Sequence, residues 1–480
     1  MPSSLPRHGE VQHNGVEMVA TNGPIGLQPL TSGIRLHPRD RKPMAKAYDT
    51  CLILFLEFYT TTISTAGASV AERAIYELEI SPLLATFAFV SSYLIGQSIG
   101  GVIFPPFSES FGRKNLYIIS TGLFSLCCLV VAVSAATPSI IIGRFFTGLF
   151  SSIPTIVTTG SIEDLWDTRA RVWWVFLWVL VANIGLLAGP IISDAVIGHA
   201  RWNWVFYTAA IVTACVAVLL VTITESRPSV VLATTAANAR RESQHQTLVT
   251  RLFGQREPFD VLRPLRLLFT EPIVFMVSIT TAVSFGIIYL FTQVLPIVYH
   301  TSGLNGSPKN VQFLAIILGT LLSILTRGYD LCVLTRRSAQ NLPITPENKL
   351  AGFLIGAPLL SISLWWFAWT IPPFAYLHWA IPTSALVLTG YALNEFNYVL
   401  AGYLTDCYEQ YAASSVGAMA ITRSVFSAAF PLLGKGLFQT LGFNLATTVL
   451  AAVASVLCII PPLLLRYGRK FREKSVLARG

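Results

Sequence analysis

Residues 116–133 read LYIISTGLFSLCCLVVAV, a continuous run without a single charged side chain. A helix needs about 20 predominantly apolar residues to cross the hydrocarbon core of a bilayer. Comparable runs follow at 172–187, 205–223 and 445–465. One such run could be a buried helix of a soluble protein, but many in series cannot. The pattern therefore predicts an all-α membrane protein.

The composition supports this prediction. Charged residues make up 12% of the chain and hydrophobic residues 53%, whereas about a quarter of a soluble domain is charged. The net charge of +9 lies on basic residues scattered between apolar runs, so we expect no binding to nucleic acid. The seven cysteines show no paired spacing, and no metal site is predicted.

The apolar runs predict twelve transmembrane helices in two six-helix bundles, separated by a polar central loop. The segments predicted are a disordered cytosolic tail (1–46), the first bundle (47–223), the central loop (224–270), the second bundle (271–466) and a basic cytosolic tail (467–480). The predicted spans are 49–70, 83–106, 115–134, 138–161, 171–196, 203–223, 271–297, 309–328, 350–371, 376–398, 413–437 and 443–466.

The basic residues orient these spans. With the N-terminus in the cytosol, 27 of the 33 Lys and Arg residues fall in cytosolic segments, as the positive-inside rule requires. Arg327 is counted among them with the loop that follows, although the predicted eighth span extends to residue 328. Two six-helix halves with both termini inside are typical of transporters whose substrate site lies at mid-membrane between the halves.

The loop after the second span reads PPFSESFGRK at 105–114. It resembles the loop signature of the major facilitator superfamily in the form found in fungal twelve-span drug:proton antiporters, with Pro105 in place of Gly and Lys114 in place of Arg. The resemblance implies a conformational role for Glu109, Gly112 and Arg113, with Glu109 expected to pair with basic groups or to cap a helix.

Further motifs of the same family follow in order along the chain. Arg144 and Gly148 resemble its Arg-x-x-x-Gly motif, and GLLAGP at 185–190 resembles its antiporter motif, although Ser193 and Asp194 stand where two glycines are usual. Gly185, Gly189 and Pro190 are expected to let helices approach closely and bend. Other matching stretches are 201–206, 225–228, 346–350, 403–408, 423–424, 430–432 and 467–475.

Ionisable side chains inside spans are costly, at about 3 kcal/mol each, and are usually functional. Burial favours the neutral form of Glu57, which suits a group that binds and releases protons. The resemblance implies a role in proton coupling for Arg144. We expect Glu57 and Arg144 to form the coupling site; the alternative is that Glu57 is only a structural partner of Arg144.

The predicted substrate cavity contains aromatic, polar and charged side chains. The aromatic ones are included because aromatic walls suit amphipathic ligands. Alternative interpretations place Glu395 at the cytosolic mouth and make Arg423 a bundle-stabilising residue. The candidates are Trp178, Phe285, Tyr289, Gln293, Asn394, Glu395 and Arg423.

Together with the resemblance, these observations predict a proton-coupled secondary transporter that exports a small organic molecule, such as a secondary metabolite, toxin, drug or organic acid. No enzymatic activity and no cofactor beyond the proton gradient are expected. The expected partners are the substrate, protons and the bilayer, and the chain is expected to be a monomer in the plasma membrane or, alternatively, the vacuolar membrane. An importer on the same fold and a non-transporting sensor are the alternative functions. An ATP-driven pump is disfavoured because the sequence has no Gly-x-x-x-x-Gly-Lys-Ser/Thr loop.

Overall fold

The computed structural model describes residues 38–228, 230–231, 262–301, 308–340, 346–374, 377–408 and 412–475. Most of the predicted N-terminal tail (1–37) and of the central loop (229 and 232–261) lies outside the described residues. Within the described ranges the regular structure is entirely helical.

The first bundle is built from the chain up to residue 220. The second span is interrupted by a π-helical turn, Phe87–Ser91, between two α-helices. The helices are α1 Pro43–Leu78, α2 Pro82–Thr86, α3 Ser92–Phe111, α4 Lys114–Val133, α5 Thr137–Leu165, α6 Thr168–Ile197 and α7 Asn203–Leu220.

The second bundle follows a short amphipathic helix, α8. Its last long helix, α14, contains two spans that are separated at Gly442, whose φ of 76° is available to glycine but strained for other residues. The helices are α8 Arg263–Thr270, α9 Pro272–Thr301, α10 Val311–Leu322, α11 Ile324–Ala339, α12 Ala351–Thr370, α13 Ala380–Cys407, α14 Ala412–Leu457 and α15 Ile460–Lys474.

Eleven helical segments in the described part of the chain are long and apolar enough to cross a membrane. The helix α13 is the twelfth, and its 28 residues are more than sufficient. Its hydropathy is lowered by Asn394, Glu395 and Asn397, which lie in the middle of the helix. The helix continues to Cys407, beyond the predicted end of this span at 398. The prediction of twelve transmembrane helices is confirmed.

Small residues let helices cross with their backbones in contact within each bundle. A methyl group added at Gly148 of α5 would lie 1.8 Å from the carbonyl oxygen of Tyr93 on α3. In the second bundle, one added at Gly319 of α10 would lie 1.9 Å from the carbonyl oxygen of Val387 on α13. Such close crossings are a common basis of helix association in lipid, and here they occur at equivalent places in the two halves.

The two bundles meet where α14 contacts α2, α3, α5 and the π-helical turn, where α1 contacts α9, and where α6 contacts α10 and α13. Hydrogen bonds cross this interface. Ser91 Oγ donates to the carbonyl oxygen of Ala428 at 2.8 Å, and the hydroxyls of Ser64 and Tyr289 are 2.5 Å apart. Between these contacts the interface leaves a cavity.

Candidate functional site

The cavity lies between the bundles and takes its wall from both. The volume of the cavity is about 30 Å³, counted as the space open to the centres of water molecules. That is room for about two water molecules, so a larger ligand requires the bundles to separate. The uncharged polar side chains of the wall are Thr61, Gln97, Thr155, Asn183, Asn397, Ser424, Ser427 and the hydroxyl-bearing Tyr289.

Two charged side chains face this cavity from opposite bundles. Glu57 lies on α1 and is 1% exposed, and Thr155 Oγ1 donates a 3.2 Å hydrogen bond to its Oε2 atom. Arg423 lies on α14, with its guanidinium 4.3 Å from the ring centroid of Phe285. Among the described residues Arg423 has no hydrogen bond or ion pair, and its electrostatic partners are Glu57 and Tyr289. The cavity thus contains an acid and a base, one from each half.

The structure does not bring Arg144 to Glu57. The guanidinium of Arg144 donates to three backbone carbonyl oxygens, those of Phe89 (2.6 and 2.9 Å), Ile63 (3.3 Å) and Ser64 (3.2 Å). The expected Glu57–Arg144 pair is therefore absent from this conformation, because main-chain acceptors of α1 and of the π-helical turn satisfy the guanidinium.

Aromatic rings complete the enclosure of Arg144. Its guanidinium carbon lies 4.6 Å from the ring centroid of Tyr93 and 5.3 Å from that of Phe206. Such contacts stabilise a cation in a desolvated site. Arg144 of α5 therefore links its own helix to α1, to the second span and to α7 without the help of a carboxylate. It does not lie in the cavity wall.

Four of the predicted cavity residues lie in the wall: Trp178, Phe285, Tyr289 and Arg423. Three do not lie there. Gln293 is buried on α9, and its side-chain amide has no hydrogen-bond partner among the described residues. Asn394 and Glu395 lie one layer behind the wall.

Glu395 belongs to a buried ionic cluster of the second bundle rather than to the cytosolic mouth. It is 0% exposed and forms an ion pair with Arg327, which also binds Asp330 at 2.6 Å. The guanidinium of Arg327 lies 4.0 Å from the ring centroid of Tyr398. Counting Arg327 as a loop charge was wrong, because the carboxylates of Glu395 and Asp330 hold it inside the bundle.

Sequence reasoning named Asn394 but missed the other uncharged polar residues that bond near it or across the interface, namely Asn183, Asn397, Gln97 and Ser424. The amide of Asn183 on α6 donates to Asn394 Oδ1 at 2.9 Å and accepts from Asn397 Nδ2 at 3.0 Å. Gln97 Oε1 accepts a 3.4 Å hydrogen bond from Ser424 Oγ. The sequence does contain a signal for them. An amide side chain within an apolar span is costly in lipid, so it is expected to face the protein interior and to form hydrogen bonds there.

The signature loop forms a polar clasp at the end of the first bundle that is predicted to be cytosolic. Gly112 has φ 88° and turns the chain into α4. The carboxylate of Glu225 then accepts from the backbone N–H groups of Arg113 and Lys114, both at 3.0 Å, where the positive end of the α4 dipole lies. Arg113 pairs with Asp164 of α5 at 3.0 Å. The side chain of Glu109, whose pairing was predicted, lies outside the described residues.

The second bundle has a similar clasp. Lys349 pairs with Asp406 at 2.5 Å, and Arg472 of α15 pairs with Glu347 at 2.6 Å. These ion pairs connect the chain before α12 to the end of α13 and to α15. The first clasp likewise connects the turn between α3 and α4 to α5 and to the chain after α7.

The glycines of the GLLAGP stretch place α6 directly against α1. A methyl group added at Gly185 would lie 2.1 Å from Thr61 Oγ1, and one added at Gly189 would lie 2.1 Å from Thr65 Oγ1. The helix continues past Pro190, and Ser193 Oγ donates back to the carbonyl oxygen of Gly189 at 2.8 Å. This motif therefore sets the position of α1, the helix that holds Glu57.

Comparisons with known proteins agree with this architecture. A family model described as Major Facilitator Superfamily matches residues 50–431. Multidrug transporter TPO1_2 of Candida glabrata is 28% identical over 92% of this chain and 78% of that protein. Efflux pump radE of Floropilus chiversii is 26% identical over 91% and 83%, and efflux pump FUB11 of Gibberella moniliformis is 28% identical over 87% and 72%.

Among solved structures, the proton:xylose symporter XylE bound to 6-bromo-6-deoxy-D-glucose has a similar fold. The TM-score is 0.61, and the match covers 89% of this chain and 96% of that chain at 16% sequence identity. This likeness concerns the fold alone. It confirms the architecture of two six-helix bundles.

Proposed function

The chain belongs to the major facilitator superfamily, and from that premise we propose that it is a secondary transporter that exports a small organic molecule in exchange for protons. The observation that carries this proposal is the cavity between the bundles, with the buried carboxyl of Glu57 in its wall. Relatives named as efflux pumps and multidrug transporters support export over import.

The placement of the two charges provides a way to couple protons to movement. Glu57 belongs to the first bundle and Arg423 to the second, so an ionised Glu57 attracts the opposite bundle across a cavity of low polarity, where such attraction is strong. Protonation removes this attraction and allows the bundles to separate. Rocking of the bundles about the central site then exposes it alternately to the two sides of the membrane.

The proposal extends to location and partners. The proton gradient is the energy source, with no further cofactor, and the plasma membrane is the site of action because it supports such a gradient and gives direct access to the medium. The protein works as a monomer, since each chain contains both bundles and hence a complete cavity.

The experiment begins with cells that do or do not express the protein. Untargeted metabolite analysis of the medium identifies molecules that accumulate only with expression. Each is then offered to inverted plasma-membrane vesicles, whose interior corresponds to the outside of the cell. Export by proton exchange predicts uptake that requires an acidic vesicle interior and is abolished by a protonophore.

Two outcomes would contradict the proposal. Uptake into right-side-out vesicles driven by an acidic exterior would show import. Uptake into inverted vesicles that is unaffected by the protonophore would show transport without proton coupling. Vesicles that contain the Glu57→Gln variant serve as the matched control, since they retain the cavity without its titratable group.

A further inference from the structure

The charges of the cavity wall cancel when Glu57 is ionised. Its 18 lining residues include one acid, Glu57, and one base, Arg423. The nearest other buried arginines are neutralised or enclosed elsewhere: Arg327 by two carboxylates and Arg144 by carbonyl oxygens and aromatic rings. A ligand in this cavity therefore meets an electrically balanced surface.

We propose that the Glu57–Arg423 pair selects cargo that enters the cavity uncharged and donates a hydroxyl or N–H hydrogen bond to the carboxylate of Glu57. This inference rests on the proposed export in exchange for protons. A cation attracted by Glu57 is repelled by Arg423, and an anion attracted by Arg423 is repelled by Glu57. Neither ion recovers the hydration that it loses on burial.

Exchange with a proton leads to the same class of cargo. A carboxylate accepts a stronger hydrogen bond than a carboxylic acid does, so protonation of Glu57 weakens the bond that the cargo donates to it. Binding of the proton and binding of the cargo therefore oppose each other, as an exchanger requires. An anion bound to Arg423 would instead displace Glu57 as its partner and favour the protonated acid. Proton and anion would then travel together, which is the opposite of exchange.

Three polar atoms of the wall indicate a further feature of the cargo. Trp178 Nε1 and Ser427 Oγ are buried and have no hydrogen-bond partner among the described residues, and the same is true of the acceptor Asn397 Oδ1, which requires a donor. The indole N–H is a donor only, so it requires an acceptor. With the rings of Phe285 and Tyr289 beside them, the wall fits an aromatic or otherwise apolar molecule that has both a hydroxyl or N–H group and a carbonyl group.

The test uses purified protein in lipid nanodiscs and three two-ring probes of similar size that differ in charge. The probes are 4-hydroxybiphenyl (neutral donor), N-methyl-4-phenylpyridinium (cation) and biphenyl-4-sulfonate (anion). Dissociation constants are measured by equilibrium dialysis. The wild-type protein is expected to bind the neutral probe at least about tenfold more tightly than either ion, because each ion meets a like charge.

Single neutralisations are expected to change the selected charge. Arg423→Gln leaves a net negative cavity and should improve binding of the cation, relative to the neutral probe, by about tenfold or more. Glu57→Gln leaves a net positive cavity and should improve binding of the anion in the same way. Arg201→Gln, which removes an arginine with an 80% exposed side chain outside the cavity, is the matched control and should preserve the wild-type order.

A wild-type preference for either ion, or relative affinities that change by less than about twofold in both cavity variants, would overturn the inference. Proton-driven uptake in vesicles would still stand in that case. Conversely, the expected change in charge selection together with uptake that ignores the pH gradient would overturn the proposed coupling and leave the selection of uncharged cargo intact.

Discussion

Substitution of Gly189 tests whether close contact between α1 and α6 is required for transport. An alanine methyl group there would lie 2.1 Å from Thr65 Oγ1 and 2.5 Å from the carbonyl oxygen of Thr62. The threonine side chain can rotate away, but the carbonyl belongs to the backbone of α1. The two helices must therefore separate by roughly 1 Å to reach ordinary van der Waals distance.

Overpacking of this kind costs about 1–3 kcal/mol in unfolding free energy. Gly189→Ala should therefore fold with a lower melting temperature and transport more slowly, because the separation shifts α1 and with it Glu57. Gly189→Leu should abolish transport or make the membrane leak protons. Melting is followed by size-exclusion chromatography of a fluorescent fusion after heating, and transport and leak are followed in inverted vesicles.

Gly402→Ala is the matched control, because nothing lies within 4 Å of a methyl group added there. It introduces the same atom into a helix of the second bundle without a neighbour to displace. If Gly189→Ala matched Gly402→Ala in melting temperature and transport rate, the contact between α1 and α6 would have no such role, and the reasoning would fail.

Three further predictions address coupling, stability and topology. Glu57→Gln should retain substrate exchange across vesicle membranes but lose uphill transport; uphill transport with normal pH dependence would move the coupling site elsewhere. Glu395→Gln should lower the melting temperature more than Asp406→Asn does, because breaking a buried pair costs about 3–5 kcal/mol and breaking a partly exposed one about 0–1 kcal/mol; equal effects would show that Arg327 does not depend on Glu395. A glycosylation reporter placed after Gly480 should remain unmodified, since the C-terminus is predicted to be cytosolic, and a glycosylated reporter would reverse the topology.

The number and order of the transmembrane helices could be predicted from the sequence because each requires a long apolar run and lipid allows few alternatives. The limits of this reasoning are clear at Arg327 and Glu395. Arg327 was counted with a cytosolic loop, and one interpretation placed Glu395 at the cytosolic mouth, whereas the two form a buried ion pair inside the second bundle. Hydropathy describes how readily a residue enters lipid. It does not describe whether a polar side chain finds a hydrogen-bond or ion-pair partner inside the protein.

The cavity was predictable only in part for a related reason. Trp178, Phe285, Tyr289 and Arg423 could be named because aromatic and charged side chains are conspicuous in an apolar span. The contacts between them depend on how each helix is rotated about its axis, which packing decides. The main-chain oxygens that hold Arg144 leave no trace in a sequence at all, so pairing it with the nearest acid of the same bundle was a reasonable prediction with the wrong partner.

That correction changes which residues are able to couple protons to motion. Arg144 contacts α1 and the π-helical turn of the second span, and both belong to its own bundle. When the bundles rock as rigid bodies these distances stay constant, so Arg144 is suited to hold α1 in place rather than to sense the transition. Glu57 and Arg423 belong to different bundles, and their separation is what rocking alters. In the proposed mechanism, Arg144 and the glycines of α6 thus position Glu57, while the energetic link between protonation and conformation lies across the interface, with Arg423.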